Sequence, residues 1–364
     1  MIPILLFVLI LLYAAEMGWL YAGIQRAGRC RRVEDYEPAV SVIVAARNEE
    51  EYIAGCLRSL LKLEYPREKL EIIIVNDSST DRTGEILSGF PPDPRIRILQ
   101  TTPGSGNLHG KANALAAGIR GSHGEIIMLT DADCTVRPGW VRETVKYFTP
   151  GTGIVGGFTV LEGSGAFSGI QALDWFFLFN VAAGTAGWRY PLTVIGNNFA
   201  VRREAYEAAG GYEAIPFSVT EDYALVRSIV RTGRFGVEFP RDAGCSVESR
   251  PCRNAGHLFR QKQRWGVGGL DMILGGMLIM AVSWCTRVMV IAALLYMPLT
   301  AGLVSAALLC VTDLCFLTGT ARRFGAARRL GYFPLFELYL TFYALLIPFV
   351  ALFSRKIIWK HRSL

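Results

Sequence analysis

The stretch Glu125-Ile126-Ile127-Met128-Leu129-Thr130-Asp131-Ala132-Asp133 decides how the surrounding chain folds. Its apolar run is too short for a helix and ends abruptly in two carboxylates, which is typical of a buried parallel strand. Ligands of open α/β sheets bind at the carboxyl ends of such strands. Because Asp131 and Asp133 flank one small residue, both carboxylates can be directed at one divalent cation, which can hold a nucleotide diphosphate. Taken alone, an Asp-x-Asp is equally typical of a solvated turn.

Residues 39–133 alternate apolar runs with amphipathic segments, the pattern of β-α-β units in a parallel sheet. The strands predicted before the one quoted above span residues 40–45, 71–75 and 95–99. Polar clusters follow the first two of these strands, at residues 47–49 and 76–81. Since the carboxyl ends of parallel strands meet at one edge of a sheet, we expect the clusters to converge on one crevice. The alternative for the second cluster is an Asx-turn that caps the next helix.

A glycine-rich loop, Gly104-Ser105-Gly106-Asn107-Leu108-His109-Gly110, precedes a predicted helix that carries Lys111 in its first turn. The amino terminus of a helix favours bound anions, so this loop is a candidate anion site. It does not match the P-loop pattern, which requires Gly-Lys-Ser/Thr at fixed spacing after a first strand.

The composition places part of the chain in lipid. Of its 364 residues, 51% are hydrophobic and 19% charged, which is too apolar for an ordinary soluble domain. Residues 1–24 carry one charge, Glu16, and four arginines follow between positions 26 and 32. This pattern predicts an uncleaved transmembrane anchor with the following domain in the cytoplasm. A signal peptide would place its positive charge before the apolar core and a cleavage site after it.

Further apolar blocks follow residue 265. We expect residues 266–284 to form an interfacial helix, because their apolar part is too short to cross a bilayer alone. Residues 285–354 are expected to form transmembrane helices with a turn near Pro298 and Gly302, and residues 355–364 a basic tail. Three to four spans are expected in all. Basic residues flank the last block on both sides, so the side of the C-terminus stays open.

Residues 166–187 form a long apolar segment that is interrupted by Asp174 and Asn180. It is either a buried core helix or a helix at the membrane interface. The density of aromatic residues favours the interface. Its aromatic residues are expected to line or adjoin a lipid path from the bilayer to Asp222, and they are Trp175, Phe176, Phe177 and Phe179.

The net charge of +7 does not indicate a nucleic-acid partner, because the basic residues cluster beside apolar segments, at 26–32, 322–329 and 355–362. Such clusters are typical of topology signals and of contacts with anionic headgroups. The eight cysteines include no C-x-x-C pair, so neither a zinc site nor a disulfide framework is expected.

An ordered set of short motifs extends from residue 46 to residue 265. Its members are Ala46-Arg47-Asn48-Glu49, Val75-Asn76-Asp77-Ser78-Ser79-Thr80-Asp81, Gly110-Lys111-Ala112-Asn113-Ala114-Leu115, Asp131-Ala132-Asp133, Gly196-Asn197-Asn198-Phe199-Ala200-Val201-Arg202-Arg203, Thr220-Glu221-Asp222 and Gln261-Lys262-Gln263-Arg264-Trp265. The set resembles family 2 glycosyltransferases, and the last motif has the Q-x-x-R-W form of the membrane-bound branch. The resemblance implies an α/β fold: a GT-A catalytic domain with a Rossmann-like, mostly parallel sheet at residues 38–265, plus transmembrane α-helices.

By this resemblance, Asn48, Glu49 and Asp77 would hold the base and ribose of a nucleotide sugar, with Lys111 near them. Asp131 and Asp133 would place Mg²⁺ or Mn²⁺ on the diphosphate. The chain departs from many members at Asn76, where they carry an acid.

The resemblance also implies an acceptor side. Asp222 would be the general base, with Glu221 beside it, and Arg264 would face the leaving diphosphate. A single displacement with a base and no enzyme nucleophile would invert the anomeric carbon. The alternative for Glu221-Asp222 is helix capping, since acids favour a first helical turn. The acceptor pocket would be framed by Gln261, Trp265, Asn197 and Asn198.

The activity implied is metal-dependent transfer of one sugar from a nucleoside diphosphate sugar, expected to be a UDP-sugar, to a membrane lipid hydroxyl. The protein would be a multi-pass protein of the inner membrane with its catalytic domain in the cytoplasm. It resembles chlorobactene-type carotenoid glucosyltransferases and ceramide glucosyltransferases. A processive polysaccharide synthase is an alternative, although three C-terminal spans are few for a secretion channel. A nucleotide-sugar-binding membrane protein without turnover is a further alternative, which the presence of Asp131, Asp133, Asp222 and Arg264 disfavours.

Overall fold

The computed structural model describes residues 2–102, 104, 106–353, 358–359 and 362–363. The strands are β1 (Val40–Ala46), β2 (Leu70–Asn76), β3 (Ile96–Gln100), β4 (Ile126–Asp131), β5 (Thr135–Val136), β6 (Thr152–Gly156), β7 (Thr159–Leu161), β8 (Asn198–Arg202), β9 (Gly236–Glu238), β10 (Val247–Ser249), β11 (Ile358–Trp359) and β12 (Arg362–Ser363). The helices are α1 (Ile2–Ala27), α2 (Ile53–Leu61), α3 (Thr83–Ser88), α4 (Gly110–Arg120), α5 (Trp140–Val145), α6 (Ala166–Gly187), α7 (Arg203–Ala208), α8 (Gly211–Ala214), α9 (Glu221–Arg231), α10 (Ala255–Gly269), α11 (Leu274–Tyr296), α12 (Leu299–Arg323) and α13 (Phe333–Phe353).

The main sheet has seven strands in the order β3-β2-β1-β4-β8-β6-β9. The four strands predicted from the sequence are adjacent and parallel, and β8 runs antiparallel between β4 and β6. Their register pairs Ala45 with Asp131, and Ala46 with Asn76. The ends of β1, β2 and β4 therefore lie at one level, which confirms the mostly parallel α/β sheet and brings the predicted polar clusters to one edge.

Both faces of the central strands are covered, which explains their continuous apolar sequence. In β4 every residue before Asp131 is buried. Alternate residues of β1 belong to two different cores: Val42 and Val44 face one, and Ile43 faces the other. The second of these cores continues into the apolar helices, since it also contains buried residues of α1, α6, α12 and α13.

Glycines join the N-terminal helix α1 closely to α6. A Cβ placed on Gly23 would overlap the backbone of Gly184, and one on Gly187 would overlap the backbone of Gly23. Small residues of this kind let two helices approach at backbone distance. Beyond the glycines, Trp188 donates from Nε1 to the carbonyl of Trp19 at 2.8 Å. The predicted anchor, expected to end at residue 24, thus extends to Ala27 and packs directly on the catalytic half of the chain.

The helix predicted at residues 166–187 is present as α6, but its position corrects the preference for a membrane interface. In α6, 67% of the most apolar stretch is buried inside the protein, against 22 to 28% in the other four long apolar helices. Phe176 and Phe179 are 1% and 0% exposed. The helix is apolar because it packs between the sheet and the helices α1, α12 and α13, not because it faces lipid.

The C-terminal segments differ from the predicted boundaries. Residues 266–284 do not form one interfacial helix, because α10 ends at Gly269 and α11 runs from Leu274 to Tyr296 across the expected boundary. The chain turns at Pro298, as its ring predicts, and α12 begins at Leu299. Within the described part of the chain, five helical segments could cross a membrane by length and composition: α1, α6, α11, α12 and Ala327–Phe353. The predicted tail at 355–364 lies outside the described residues except for β11 and β12.

A buried polar cluster links four of the apolar helices. Arg287 of α11 contacts Asp313 of α12 at 2.6 Å, and Tyr13 of α1 donates a hydrogen bond to the same carboxylate. Glu337 of α13 lies 3.7 Å from Arg287. Ionisable groups inside apolar helices are stable only when they pair with one another, so this cluster fixes how the four helices meet.

Candidate active site

The polar clusters converge on a single large cavity of about 1240 Å³ at the carboxyl ends of β1, β2 and β4. Its lining contains all but one of the site residues predicted from the sequence: Asn48, Glu49, Asp77, Lys111, Asp131, Asp133, Asn197, Glu221, Asp222, Gln261, Arg264 and Trp265. The tertiary structure therefore joins residues that are separated by up to 217 positions in the chain, from Asn48 to Trp265.

Lys111 connects the strand end to the helix that carries the candidate base. Its Nζ lies 2.6 Å from Asp131 Oδ1 and 3.1 Å from Glu221 Oε1, with only 15% of the side chain exposed. Burial alone would lower the pKa of Lys111, but the charges of Asp131 and Glu221 outweigh it and raise the pKa. From the sequence, Lys111 was expected to lie near the nucleotide, at a candidate anion site. In the structure its ammonium group is instead engaged by two carboxylates.

Glu221 and Asp222 occupy the first turn of α9, the position that the capping alternative predicted. They also face the cavity, so the two interpretations are compatible. Burial and the negative charge of Glu221 raise the pKa of Asp222 to about 6. Burial also opposes ionisation of Glu221, but Lys111 and Arg264 outweigh it and lower the pKa of Glu221. Two neighbouring acids thus have pKa values pushed apart, an arrangement typical of acid–base sites.

The donor atoms at the end of β4 fit a hard divalent cation. Asp131 and Asp133 both line the cavity, and the ammonium of Lys111 already lies against Asp131. Among the described residues, no group of three or more His, Cys, Asp or Glu side chains could hold a metal. Mg²⁺ is usually bound through one or two carboxylates together with substrate phosphates and water. Two carboxylates in the lining of a cavity that can admit a nucleotide diphosphate match that donor set.

Two residues with positive φ shape the loops after β1 and β2. Asn48 has a φ of 52° and Ser78 a φ of 51°, a region that residues other than glycine rarely occupy. Thr80 donates its backbone N–H to Asn48 Oδ1 at 2.8 Å, and Arg47 donates to the carbonyl of Ser78 at 2.9 Å. The loops after β1 and β2 therefore hold one another in strained backbone conformations, as is common at binding sites.

Asn76 forms a turn, which was the alternative given above for the polar cluster at residues 76–81. Its Oδ1 accepts a hydrogen bond from the backbone N–H of Ser79 at 3.2 Å, closing a turn, and its side chain does not line the cavity. Asp77 is 2% exposed but reaches the cavity lining, and Thr101 donates to its Oδ1 at 3.0 Å. Of these two neighbouring residues, Asn76 therefore forms the turn with its amide, and Asp77 directs its carboxylate to the cavity.

The Q-x-x-R-W motif lies on α10, which begins after Asn254, whose side chain accepts the backbone N–H of His257 at 3.0 Å. Gln261 Oε1 is buried in the cavity wall and has no hydrogen-bond partner among the residues that the structure describes. At the end of the helix, a Cβ on Gly268 would come within 2.5 Å of Thr220 Oγ1. The absence of a side chain at Gly268 therefore lets α10 approach the start of α9.

The two asparagines of the predicted acceptor pocket have different positions. Asn197 lines the cavity, and its Oδ1 accepts a hydrogen bond from Thr159 at 3.0 Å. Asn198 does not line the cavity, which corrects the prediction. Its amide donates to the carbonyls of Phe158 and Cys245 and accepts from Trp140 Nε1 at 3.1 Å. As the first residue of β8, it points into the core on the other side of the strand from Asn197.

The cavity continues from the sheet to the apolar helices. Its far end is lined by Met277, Met280 and Trp284 of α11 and by Ile347 and Ala351 of α13.

The predicted aromatic path is only partly present. Trp175 lines the cavity, whereas Phe176, Phe177 and Phe179 do not. Because α6 is buried, the apolar end of the cavity is formed by α11 and α13.

Comparison with known protein families identifies the family of the chain that forms this cavity. The model of "Glycosyl transferase family 2" matches residues 41–210, and that of "Glycosyl transferase family group 2" matches residues 126–354. The chain belongs to glycosyltransferase family 2. Both the carboxylate-ended strand and the Q-x-x-R-W helix lie within the second match.

Curated relatives of this glycosyltransferase differ in what their names state. The "Probable glycosyltransferase YdaM" of Bacillus subtilis is 32% identical over 65% of this chain and 56% of its own length. A beta-monoglucosyldiacylglycerol synthase of Synechocystis is 30% identical over 65% and 49%. A poly-beta-1,6-N-acetyl-D-glucosamine synthase of Staphylococcus epidermidis is 27% identical over 65% and 55%. The chain thus spans about half the length of the curated relatives it matches.

Among solved structures, the mannosyltransferase PcManGT of Pyrobaculum calidifontis, determined with GDP-Man and Mn²⁺, resembles the glycosyltransferase over most of its length. The two superpose with a TM-score of 0.64 at 20% identity, covering 93% of this chain and 99% of PcManGT. This likeness confirms the GT-A fold.

Several residues of the glycosyltransferase site were not found by sequence analysis. Arg253 donates from Nη2 to the hydroxyl of Tyr52 at 2.8 Å, at a part of the cavity wall that both residues line. Lys262, inside the Q-x-x-R-W motif, pairs with Asp174 of α6. The signal for the second pair was present, since the acid in the apolar segment 166–187 and the lysine in the motif, 88 positions later, both require partners when buried.

Proposed function

We propose that this family 2 glycosyltransferase transfers one sugar from a nucleoside diphosphate sugar to the hydroxyl of a membrane lipid, with a divalent cation and with inversion. The observation that carries the proposal is the continuity of the cavity. Its lining combines the carboxylates of Asp131, Asp133 and Asp222 with apolar side chains such as Met280 and Ile347. A polar donor and an apolar acceptor can thus share one space.

Each polar residue then has a chemical task. Asp222 accepts the proton of the acceptor hydroxyl, and its raised pKa of about 6 makes it a base near neutral pH. Glu221, kept ionised by Lys111, sustains that raised pKa. Arg264, which lines the cavity from α10, would stabilise the departing diphosphate. Asn48, Glu49 and Asp77 would bind the base and ribose. A Mg²⁺ or Mn²⁺ ion held by Asp131 and Asp133 would compensate the charge of the diphosphate.

A lipid acceptor accounts for the apolar end of the cavity. Lifting an acyl chain into water costs about 0.8 kcal/mol for each methylene, so ten methylenes would cost about 8 kcal/mol. A cavity lined by Met277 and Met280 lets the chain stay in apolar surroundings while its hydroxyl reaches Asp222. The diacylglycerol named for the cyanobacterial relative has this chemistry.

We further propose that the protein is a multi-pass protein of the inner membrane with its catalytic domain in the cytoplasm. The helices α1, α11, α12 and α13 are long and apolar enough to cross a bilayer, and only 22 to 28% of their most apolar stretch is buried inside the protein. Arginines at positions 26, 29, 31 and 32 follow α1 directly, which supports a cytoplasmic position for the sheet.

The test is product analysis with the full chain in lipid nanodiscs. We expect consumption of UDP-glucose in the presence of Mg²⁺ and diacylglycerol, and mass spectrometry should detect lipid that carries a single hexose. Asp222→Asn should retain donor binding but lose turnover by a factor of about 10² or more. The control is Glu204→Gln, a change in an exposed ion pair with Arg234. A polymeric product would support the processive synthase instead, and donor binding without turnover in the unaltered chain would support the non-catalytic alternative.

A further inference from the structure

Two arginines lie together where α1 and α12 end. Arg323, in the last turn of α12, donates from Nε to the carbonyl oxygen of Arg241 at 2.9 Å. Arg241, in the segment after β9, donates from Nη1 to Oε1 of Gln25 in the last turns of α1 at 3.0 Å. The ends of both apolar helices and one loop of the catalytic half therefore meet at this point.

Neither guanidinium group is neutralised by the protein. In the part of the chain that the structure describes, no carboxylate lies within 4.0 Å of Arg241 or Arg323. Asp242, the next residue, is directed elsewhere and contacts Arg32 at 3.2 Å and the hydroxyl of Tyr147 at 3.1 Å. Two like charges held together without a counter-ion repel one another, so an anion placed between them is stabilised.

The site has unused donors. Arg241 Nε is buried and, among the described residues, has no hydrogen-bond partner. Gly319 lies beside the pair, since a Cβ there would lie 3.6 Å from the ring of Tyr21 and 3.9 Å from Arg241 Nη2. Burial and the nearby charge of Arg323 lower the pKa of Arg241, in agreement with a position that lacks a negative partner. None of these residues lines the cavity that contains Asp222.

We propose that Arg241 and Arg323 form a binding site for the phosphate group of an anionic phospholipid. Guanidinium groups match the oxygens of a phosphate with paired hydrogen bonds. The location selects a lipid as the source of that phosphate, because the site lies at the end of two helices that are long and apolar enough to span a bilayer. Tyr21 is 41% exposed on α1 and lies beside Gly319, on the helix surface along which an acyl chain would descend.

Occupation of this site would connect lipid composition to the packing of the transferase. Phe239 lies two residues before Arg241, and its ring packs at 5.4 Å from Phe158 and 6.2 Å from Phe179. A phosphate that neutralises the arginines stabilises the junction of this core with α1 and α12. A ligand that binds only the folded state raises its thermal stability in proportion to the logarithm of the ligand concentration.

The experiment uses the full chain in a neutral detergent, titrated with phosphatidylglycerol or phosphatidylcholine and followed by native mass spectrometry and thermal unfolding. We expect a discrete phosphatidylglycerol adduct and a rise in Tm, with no comparable effect of phosphatidylcholine. Arg323→Gln should weaken the apparent affinity for phosphatidylglycerol at least tenfold, and Arg241→Gln should do the same. Arg323 is exposed, so its variant folds even if that of Arg241 does not.

The matched control is Arg234→Gln, which removes an equally positive but exposed arginine that is already paired with Glu204. It should leave phosphatidylglycerol binding unchanged. Equal affinity in Arg323→Gln and Arg234→Gln would overturn the proposal, as would equal binding of the two lipids. An equal rise in Tm with inorganic phosphate would overturn the assignment to a lipid and leave a site for soluble phosphate.

Discussion

Lys262 and Asp174 form an ion pair that is buried between α10 and α6, with side chains only 4% and 6% exposed. The ammonium group of Lys262 also lies over the rings of Trp265 and Tyr343, at 4.3 and 4.7 Å from their centres. One lysine inside the Q-x-x-R-W motif thus joins α10 to α6 and to α13. It also fixes the ring of Trp265, which meets Trp175 at 5.7 Å in the cavity wall.

We predict that Asp174→Asn destabilises the fold by about 3–5 kcal/mol, because it leaves the ammonium of Lys262 buried without a counter-ion. The double change Asp174→Leu with Lys262→Met should recover most of this loss, since no charge then stays buried. Thermal unfolding in detergent measures both variants, with Glu204→Gln in an exposed pair as the control. A double variant as unstable as the single one would contradict the electrostatic explanation.

The rate of transfer should depend on pH through Asp222. A general base must be unprotonated, and burial together with the charge of Glu221 raises the pKa of Asp222 to about 6. We therefore expect kcat to be constant above about pH 7 and to fall tenfold per pH unit below about pH 6. Glu221→Gln removes the neighbouring negative charge, so the midpoint of the profile should move to lower pH. A profile that is flat from pH 5 to pH 8 would exclude Asp222 as the base.

Metal-dependent binding of the donor should require Asp133. The variant Asp133→Ala is expected to lose the part of the donor affinity that EDTA removes from the unaltered protein, because that part comes from the cation on the diphosphate. Isothermal titration with a nucleotide sugar, with and without Mn²⁺, measures it, and the control is Asp35→Ala at an exposed position. The metal assignment fails if the two variants bind the donor equally in Mn²⁺.

Binding of the lipid acceptor should depend on side chains of α11. Met280 and Leu278, two residues apart on the same helix, are 45% and 56% exposed, but only Met280 lines the cavity. We predict that Met280→Gln raises KM for a lipid acceptor on the order of tenfold, the equivalent of about two buried methylenes. The KM for the donor should not change. Leu278→Gln is the matched control, and equal effects of the two changes would contradict an acceptor path beside Met280.

Much of the catalytic half could be predicted from the sequence. The apolar run before Asp131 is a buried strand because only such a strand combines that length, that hydrophobicity and a carboxylate end. The parallel order of the neighbouring strands places Asn48 and Asp77 at the same edge without further information. Pro298 separates two helices through its own ring geometry. These features depend on local propensity and on the period of the hydrophobic pattern, which a sequence displays directly.

The positions of the apolar helices could not be predicted from such local sequence patterns. The hydrophobicity of α6 is the same whether the helix faces lipid or protein, and only the glycine contacts with α1 and the packing of Phe176 and Phe179 show that it is buried. The alternation of Asn197 and Asn198 across β8 likewise directs one amide to the cavity and the other to the core.

The sequence by itself determined the strands, the carboxylates at their ends and the apolar lengths of the helices, because those properties arise from neighbouring residues. Only the tertiary structure decided that Lys111 bridges Asp131 and Glu221, that Lys262 finds Asp174, and that Arg287 meets Asp313. The physical reason is that the energy of a buried charge depends on its partner in space. That partner lies at least 20 positions away in each of these contacts, beyond the reach of any periodic pattern in the chain.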